Sequence, residues 1–304
     1  MTQTIENPLV SVNVITYNSS QTVVETLESI KAQSYPNIEL IISDDCSKDN
    51  TIDICSKWLL SNKSRFTNSK IVTSPVNTGL APNYNRAINA ASGIWIKEID
   101  GDDRLLPNCV SDFIEYTRNN PEAKYIFAKV RCFGADETTC KKYEDVFKYE
   151  MFNKSQEEQL HQMVYVDNYI PCQGSFYNKA LIDEIGFRND ERMPMIGDWP
   201  KWITLLQNGV NFYFMDKYVA DYRIGNGVST SSNVSPIYMR SLLLTDIYYR
   251  WPVWMADGTQ ESMDRIAKQV IGAEDEIIRL RNTHAYRLGK MLLKPITWLR
   301  KLAR

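Results

Sequence analysis

Four residues, Asp100-Gly101-Asp102-Asp103, put three carboxylates on one short turn, where alternate side chains can converge on a single cation. Hard oxygen ligands of this kind suit Mg²⁺ or Mn²⁺, which take one or two protein carboxylates and complete their shell with phosphate oxygens and water. A diphosphate is the natural partner. As a leaving group it gains negative charge, and a bridging cation stabilises that charge more in the transition state than before it. On composition alone a solvated acidic turn is the alternative, and position after a buried strand decides between them. A calcium loop of the EF-hand type is excluded, because position 104 is arginine and the twelfth residue is Ser111 rather than glutamate.

Other chemistries lack their residues. His161 and His284 are the two histidines, and the six cysteines (Cys46, Cys55, Cys109, Cys132, Cys140, Cys172) form no C-x-x-C pair, which argues against structural zinc and histidine-centred catalysis. There is neither a G-x-x-x-x-G-K-[ST] loop nor a G-x-G-x-x-G after the first strand, so P-loop phosphotransfer and dinucleotide redox chemistry lose their phosphate cradle. Carboxylates must carry the reaction. Asp44-Asp45 ends an apolar run, where an acid either reads a base or ribose or caps the next helix. Tyr17 is either a boundary aromatic or a flat face for a base. Gly197-Asp198 before Trp199-Pro200 reads as a helix start with proline in the first turn.

The elements that must hold these groups follow from periodicity. VSVNVIT from Val10, IELIIS (38–43), KIVTS (70–74) and IWIKEI (94–99) are buried strands, and the last runs straight into the acidic turn. Between them lie a helix with Val23, Leu27 and Ile30 on one face, capped by Thr22 and Glu25; a helix from near Asp49; and a helix over 83–91 after the loop NTGLAP. Strand–helix alternation of this type predicts an α/β fold with a doubly wound, mostly parallel sheet, whose ligands bind at the carboxyl ends of the strands. That rule gathers Thr16, Tyr17, Asn18, Asp45, Asn77, Gly79, Asp100, Gly101 and Asp102 along one edge. Further on come a helix near 107–119, a strand near 125–133, a poorly patterned stretch at 134–170, a strand-to-helix unit at 172–186, a tryptophan-rich helix at 199–208, two short strands NFYFMD and YVADYR, and a Gly/Ser loop at 225–233 expected to act as a lid. Two domains are expected: a catalytic domain at 1–231 and a helical extension at 232–304.

The net charge of −2 is made of +8 over residues 279–304 and −10 over the remainder. An acidic body with a basic tail is not the pattern of a nucleic-acid binder. In 286–304 Leu288, Met291, Leu292, Ile296, Leu299 and Leu302 recur at helical spacing, the pattern of a helix lying on an anionic membrane surface or packing on the body or a second protomer; Pro295 should kink it. No apolar run approaches the roughly 18 residues that span a bilayer, and the first residues show no secretory signal pattern. A cytoplasmic location, with a peripheral membrane contact, is expected.

Taken in order, VSVNVITYNS, SIKAQSYPNIELIISDDCSKDNT, NTGLAPNYNRAINAASG, IKEIDGDD, IGDWPKWITLLQNG and DYR resemble the family 2 glycosyltransferases of bacterial cell-surface polysaccharide assembly, over roughly residues 8–231. The resemblance implies a glycosyltransferase-A fold and a nucleoside-diphosphate sugar donor, by family habit a UDP-sugar. It implies a divalent metal, Mn²⁺ or Mg²⁺, on Asp102 with Asp100 nearby, and a saccharide or lipid-linked saccharide acceptor. It further implies that the Thr16-Tyr17 backbone and ring meet the base, that Asp45 accepts from it, and that Asn18 lies in the donor site. Asn77, Gly79, Asn85, Gly101 and Arg223 then belong to the donor site, Arg223 either on the diphosphate or in a structural salt bridge. Asp198 falls at the position of the general base of an inverting reaction, with no covalent sugar–enzyme intermediate. Trp199 and Trp202 either wall the acceptor pocket or pack as core. The chain departs from the family pattern at Asn83-Tyr84, at Ile224-Gly225 where many relatives have a histidine, and at Cys46, which replaces a usual glycine and is read as packing. A catalytically inactive sugar-nucleotide-binding module of the same fold is the rival reading. Nucleotidyl transfer is disfavoured because ITYNSSQT lacks a basic phosphate loop.

Overall fold

The computed structural model describes residues 7–193, 195–225 and 236–281. Most of the expected lid loop and of the basic amphipathic tail (226–235 and 282–304) therefore lies outside the described residues. Eight strands form one sheet in the order β3-β2-β1-β4-β7-β6-β8-β5. They are β1 (Val10–Thr16), β2 (Ile38–Asp44), β3 (Asn68–Thr73), β4 (Trp95–Asp100), β5 (Arg104–Leu105), β6 (Tyr125–Phe133), β7 (Ser175–Asn178) and β8 (Phe212–Arg223). The first four strands pair in parallel. Strand β7 is antiparallel to both β4 and β6, and β8 runs parallel to β6. Two reversals restore direction, so the carboxyl ends of β1, β2, β4, β6 and β8 all point to the same edge.

Every residue of β1 and β2 is buried, which is why both read as near-continuous apolar runs rather than alternating ones. Helices α1 (Val23–Lys31), α2 (Thr51–Asn62), α3 (Leu80–Ala90) and α4 (Cys109–Asn119) follow. Leu27 and Ile30 of α1 and Phe113 of α4 pack with Val12, Leu40 and Phe176 in the main core. The capping box expected at Thr22 does not form. Thr22 makes no side-chain cap and donates to the Gly101 carbonyl at 2.8 Å. Helix α3 begins earlier than its pattern indicates, because Gly79 at φ 97° turns the chain directly into Leu80.

The stretch 134–170 does hold structure: α5 (Glu137–Glu144), a 3-10 turn at Tyr149–Asn153 and α6 (Gln156–His161), the last opened by a Ser155/Glu158 capping box. Helix α7 (Lys179–Glu184) follows β7, and α8 (Asp198–Gln207) leads into β8. The two strands expected at 211–223 are one strand. Its pairing with β6 shifts register around Lys129, and that irregularity breaks the apolar alternation at Asp216-Lys217. The described residues divide into two compact units, one ending at Tyr249 and the other starting at Arg250. The first includes α9 (Pro236–Thr245), tied by Ser241 Oγ to the Met195 amide at 3.0 Å. The second holds α10 (Trp251–Asp257) and α11 (Gln260–Arg281). Among the described residues no helix is long and apolar enough to cross a membrane.

Candidate active site

Strand β4 delivers the acidic turn to the edge of the sheet. The Gly101 amide donates to the Ile15 carbonyl at 2.8 Å, pressing the turn against the end of β1. A Cβ on Gly101 would stand 2.8 Å from Thr16 Cγ2 and 3.2 Å from the Ile15 carbonyl oxygen, so any side chain here forces Thr16 or the turn to shift. Asp103 is fully buried and structural: its carboxylate accepts the Arg223 amide at 2.7 Å, and its carbonyl accepts Thr26 Oγ1 at 2.7 Å. Asp100 and Asp102 remain partly exposed. Burial, followed by the charges of Asp102, Glu98 and Asp198, pushes Asp100 up to about 7, against a hydrogen bond from Tyr84 Oη at 2.7 Å. Burial also raises Asp102, and the Arg223 guanidinium opposes it.

Two carboxylates held together against their charge fit a divalent cation, and the residues expected to bind one are those that the fold brings together here. Among the described residues no group of three or more His, Cys, Asp or Glu side chains is placed to hold a metal by itself. A site of two carboxylates leaves the rest of the shell to phosphate and water. The Cys172 thiol lies among the same acids and was not singled out from sequence. Burial and the charges of Asp100, Asp198 and Asp103 keep it well above the ordinary thiol range, hence protonated and a poor ligand.

At the end of β2, Asp44 accepts from Thr16 Oγ1 (2.8 Å) and from Ser47 through its amide (2.8 Å) and hydroxyl (2.6 Å), tying the β1 and β2 ends together. Asp45 accepts from the Thr78 hydroxyl (2.5 Å) and amide (2.8 Å), the Gly79 amide (2.7 Å) and Arg86 (3.2 Å). Those four bonds fill the acceptor capacity of a carboxylate, so in this state Asp45 shapes the 77–79 loop. Tyr17 is 46% exposed beside it, and Asn77 and Asn18 are exposed too. Asn18 sits at φ 52° and accepts the Lys48 amide at 2.8 Å. Cys46 is not core packing. It has φ 64° and is half-exposed, with Lys48 Nζ 3.1 Å from its sulfur. Asn85 is buried and engaged with Asn189, donating to its carbonyl at 2.9 Å and accepting its amide at 2.8 Å. It braces the 189 loop from within.

Asp198 opens α8 as its first residue, after Gly197. One carboxylate oxygen accepts the Trp199 amide at 2.8 Å and the other accepts Asn168 Nδ2 at 2.9 Å. Burial raises its pKa despite both bonds, and its charge is among those that push Asp100 up, so base candidate and acidic turn share one electrostatic environment. Tyr238 of α9 joins them, its phenol raised by burial and by Asp198. Of the two readings for Trp202, the structure places it in core packing: it is 0% exposed, with Tyr125, Phe127 and Phe212 edge-on around it. Trp199 is also buried, its indole N–H on the Met163 carbonyl at 2.8 Å.

Arg223 ends β8 over the acidic turn. Its Nε donates to the Asp102 carbonyl at 2.8 Å, Nη2 pairs with Glu25, and the guanidinium lies 4.3 Å from the Phe133 ring centroid. Arg104 stacks on the same ring at 3.9 Å and also pairs with Glu25. Glu25, expected in a cap, is instead the anchor for two arginines. Both arginine readings meet here, since the salt bridge that holds Arg223 leaves it beside Asp102.

This arrangement, acids at the carboxyl ends of a parallel sheet with one more at a facing helix start, is matched by family. Residues 11–186 correspond to Glycosyl transferase family 2, and the chain belongs to that family; it is a glycosyltransferase. It is 27% identical over 226 residues to the putative teichuronic acid biosynthesis glycosyltransferase TuaG of Bacillus subtilis, covering 74% of this chain and 82% of that one. It is also 27% identical over 246 residues to the UDP-Glc:alpha-D-GlcNAc-diphosphoundecaprenol beta-1,3-glucosyltransferase WfaP of Escherichia coli, covering 79% and 86%. The crystal structure of S. aureus TarS 1-349 in complex with UDP-GlcNAc superimposes with a TM-score of 0.61 at 19% identity, covering 79% of this chain and 66% of that one. The fold is therefore the glycosyltransferase-A fold.

Proposed function

We propose that this chain transfers a sugar, with inversion, from a UDP-sugar to an acceptor hydroxyl during assembly of a bacterial surface polysaccharide, using Mn²⁺ or Mg²⁺ at Asp100 and Asp102. The observation that carries the reading is the convergence of Asp100, Asp102 and Asp198 at the carboxyl end of β4, each carboxyl raised by burial. The relatives' names support the donor and the polysaccharide context. A divalent cation bound there supplies positive charge to the departing diphosphate. The remaining work belongs to the chain. Tyr17, Asn18 and the 77–79 loop receive the nucleotide, and Arg223, fixed by Glu25 and Phe133, offers a second positive charge beside Asp102.

Asp198 takes the acceptor proton. Asn168 and the Trp199 amide fix its two oxygens, and a pKa raised toward the working pH favours a base that must accept a proton in the transition state. One carboxylate on the acceptor side is what direct displacement needs. An inactive binding module would have no need to hold three partly exposed acids where their surroundings oppose ionisation. The test is nucleotide release from UDP-, GDP- and dTDP-sugars with Mn²⁺ or with EDTA, alongside Asp198→Asn. Turnover is expected with UDP-sugars and metal alone, and Asp198→Asn should lower it about 10²- to 10⁴-fold with donor binding retained. Wild-type turnover in EDTA, or in Asp198→Asn, would refute the corresponding part.

A further inference from the structure

Behind the acidic turn lies an ion pair that nothing in the reaction chemistry requires. Lys201 Nζ is 2.8 Å from Glu98 Oε2, with the two side chains 5% and 6% exposed. The lysine ammonium also lies 4.6 Å from the Tyr177 ring centroid. Glu98 stands two residues before Asp100 on β4, so the two side chains leave the same face of the strand. Lys201 stands three residues after Asp198 on α8, so those two share a face of the helix. Strand and helix therefore meet through two successive rungs. The inner rung is the Glu98–Lys201 pair, and at the outer level the charge of Asp198 reaches Asp100.

We propose that the Glu98–Lys201 pair is a positioning device, which sets Asp198 against the acidic turn and is needed for turnover rather than for folding or donor binding. This rests on the reading of Asp198 as the base. A buried ion pair is a weak way to add stability, because desolvating both charges cancels most of their attraction, and apolar residues of similar volume generally do as well. The rings of Tyr125, Tyr177 and Trp202 form an aromatic cluster against which apolar side chains can pack, with the Tyr177 hydroxyl, which interacts with Glu98, a polar group the exchange would release. An ion pair differs from apolar contact in direction: it fixes which atoms meet and at what distance.

Asn168 on Asp198 and the Met163 carbonyl on the Trp199 indole tie the helix start to the 163–168 segment, and the tie across to β4 is a separate one. The chain entering α8 carries Gly197, and Asp198 satisfies its own helix amide, so neither residue fastens the helix to β4. Lys201, one turn in, does so through its bond to Glu98. Because proton transfer needs its partners within hydrogen-bond reach, a slip of about 1 Å in the helix start is enough to cost on the order of 10²-fold in rate.

Either single substitution strands a buried charge, so the informative variant is the apolar pair Glu98→Leu/Lys201→Met. Thermal unfolding, donor binding by calorimetry with Mn²⁺ and UDP-sugar, and steady-state kinetics are measured on it. The expected result is a melting temperature at or above wild type, donor affinity and KM within about twofold, and kcat lower by about 10- to 100-fold. Wild-type kcat overturns the proposal, and so does loss of folding or of donor binding, which would make the pair a structural element. Asp198→Asn is then added to both backgrounds. If the pair acts through Asp198, the kcat loss from the apolar pair shrinks to less than about twofold once the base is absent; fully multiplicative losses overturn it. A wild-type rate for Asp198→Asn alone instead removes the base assignment on which the proposal stands.

Discussion

Replacing Asp102 by asparagine is expected to stabilise the metal-free protein while abolishing its response to metal. The substitution keeps the size of the side chain and removes one negative charge from a cluster that resists carrying it. Asp100 is pushed from an ordinary 3.8 up to about 7, with burial the largest cause and Asp102 the next. A rise of about three pH units corresponds to about 4 kcal/mol of penalty on the ionised form at pH 8. Since burial remains in the variant and the two acids titrate as a pair, removing Asp102 relieves a minority of this, on the order of 1–2 kcal/mol. At roughly 2–4 °C per kcal/mol for a chain of this size, the melting temperature rises by about 2–8 °C. The pH dependence has a definite sign. Folded Asp100 holds its proton more tightly than the unfolded chain does, so the native state carries the extra proton between about pH 4 and about pH 7, and stability falls as pH rises through that window. The gain from Asp102→Asn therefore appears at pH 8 and shrinks at pH 5. Calorimetric melts in EDTA at both pH values, then with Mn²⁺ and UDP, read all of this, with wild type responding to the additions and the variant not. A variant that melts at or below wild type at pH 8 in EDTA, or gains as much at pH 5, would refute the reasoning.

Gly101→Ala puts a Cβ 2.8 Å from Thr16 Cγ2 and 3.2 Å from the Ile15 carbonyl, and overpacking of that kind is expected to cost about 1–3 kcal/mol and to weaken donor binding as the turn shifts; melts and donor calorimetry check both. Cys46→Gly should act oppositely. At φ 64° an L-residue carries about 1–2 kcal/mol of strain, partly offset by the extra chain entropy glycine loses on folding, for a net gain of about 0.5–1 kcal/mol. A melting temperature below wild type would mean that the sulfur's contacts with Lys48 and Pro75 outweigh the strain.

Much of the fold was legible because the first hundred residues obey local rules. The fully buried β1 and β2 show as apolar runs, and the carboxyl-edge rule gathers Tyr17, Asp45 and Asp100 before any contact is known. The region 134–170 was not legible as a pattern, since α5 and α6 are short and bury between them only Gln159, too little for an apolar period, yet its Ser155-x-x-Glu158 box was a readable start signal. Strand β8 misread as two because a register shift around Lys129 interrupts alternation without ending the pairing.

The candidate site was legible in its members more than in their roles, and the reason lies in how hydrogen-bond capacity is allotted. Asp45 and Asn85 occupy donor-site positions in the sequence pattern, but the structure uses their polar atoms on Thr78, Gly79 and Arg86 and on Asn189. Whether a side chain is free for a ligand depends on partners 33 to 104 residues away, which no local pattern encodes. The same holds in reverse for Glu25. As the third residue after Thr22 it satisfies a capping rule, and it is nevertheless drawn to Arg104 and Arg223, because two cations stacked on Phe133 offer a carboxylate more than one backbone amide does. Asp100, Asp102 and Asp198 differ from these. Each is raised by burial and still partly exposed, whereas Asp103, raised as well, is sealed from solvent with its carboxylate on the Arg223 amide; an uncompensated acid that a ligand can reach is the one with capacity to spare for a cation or a proton.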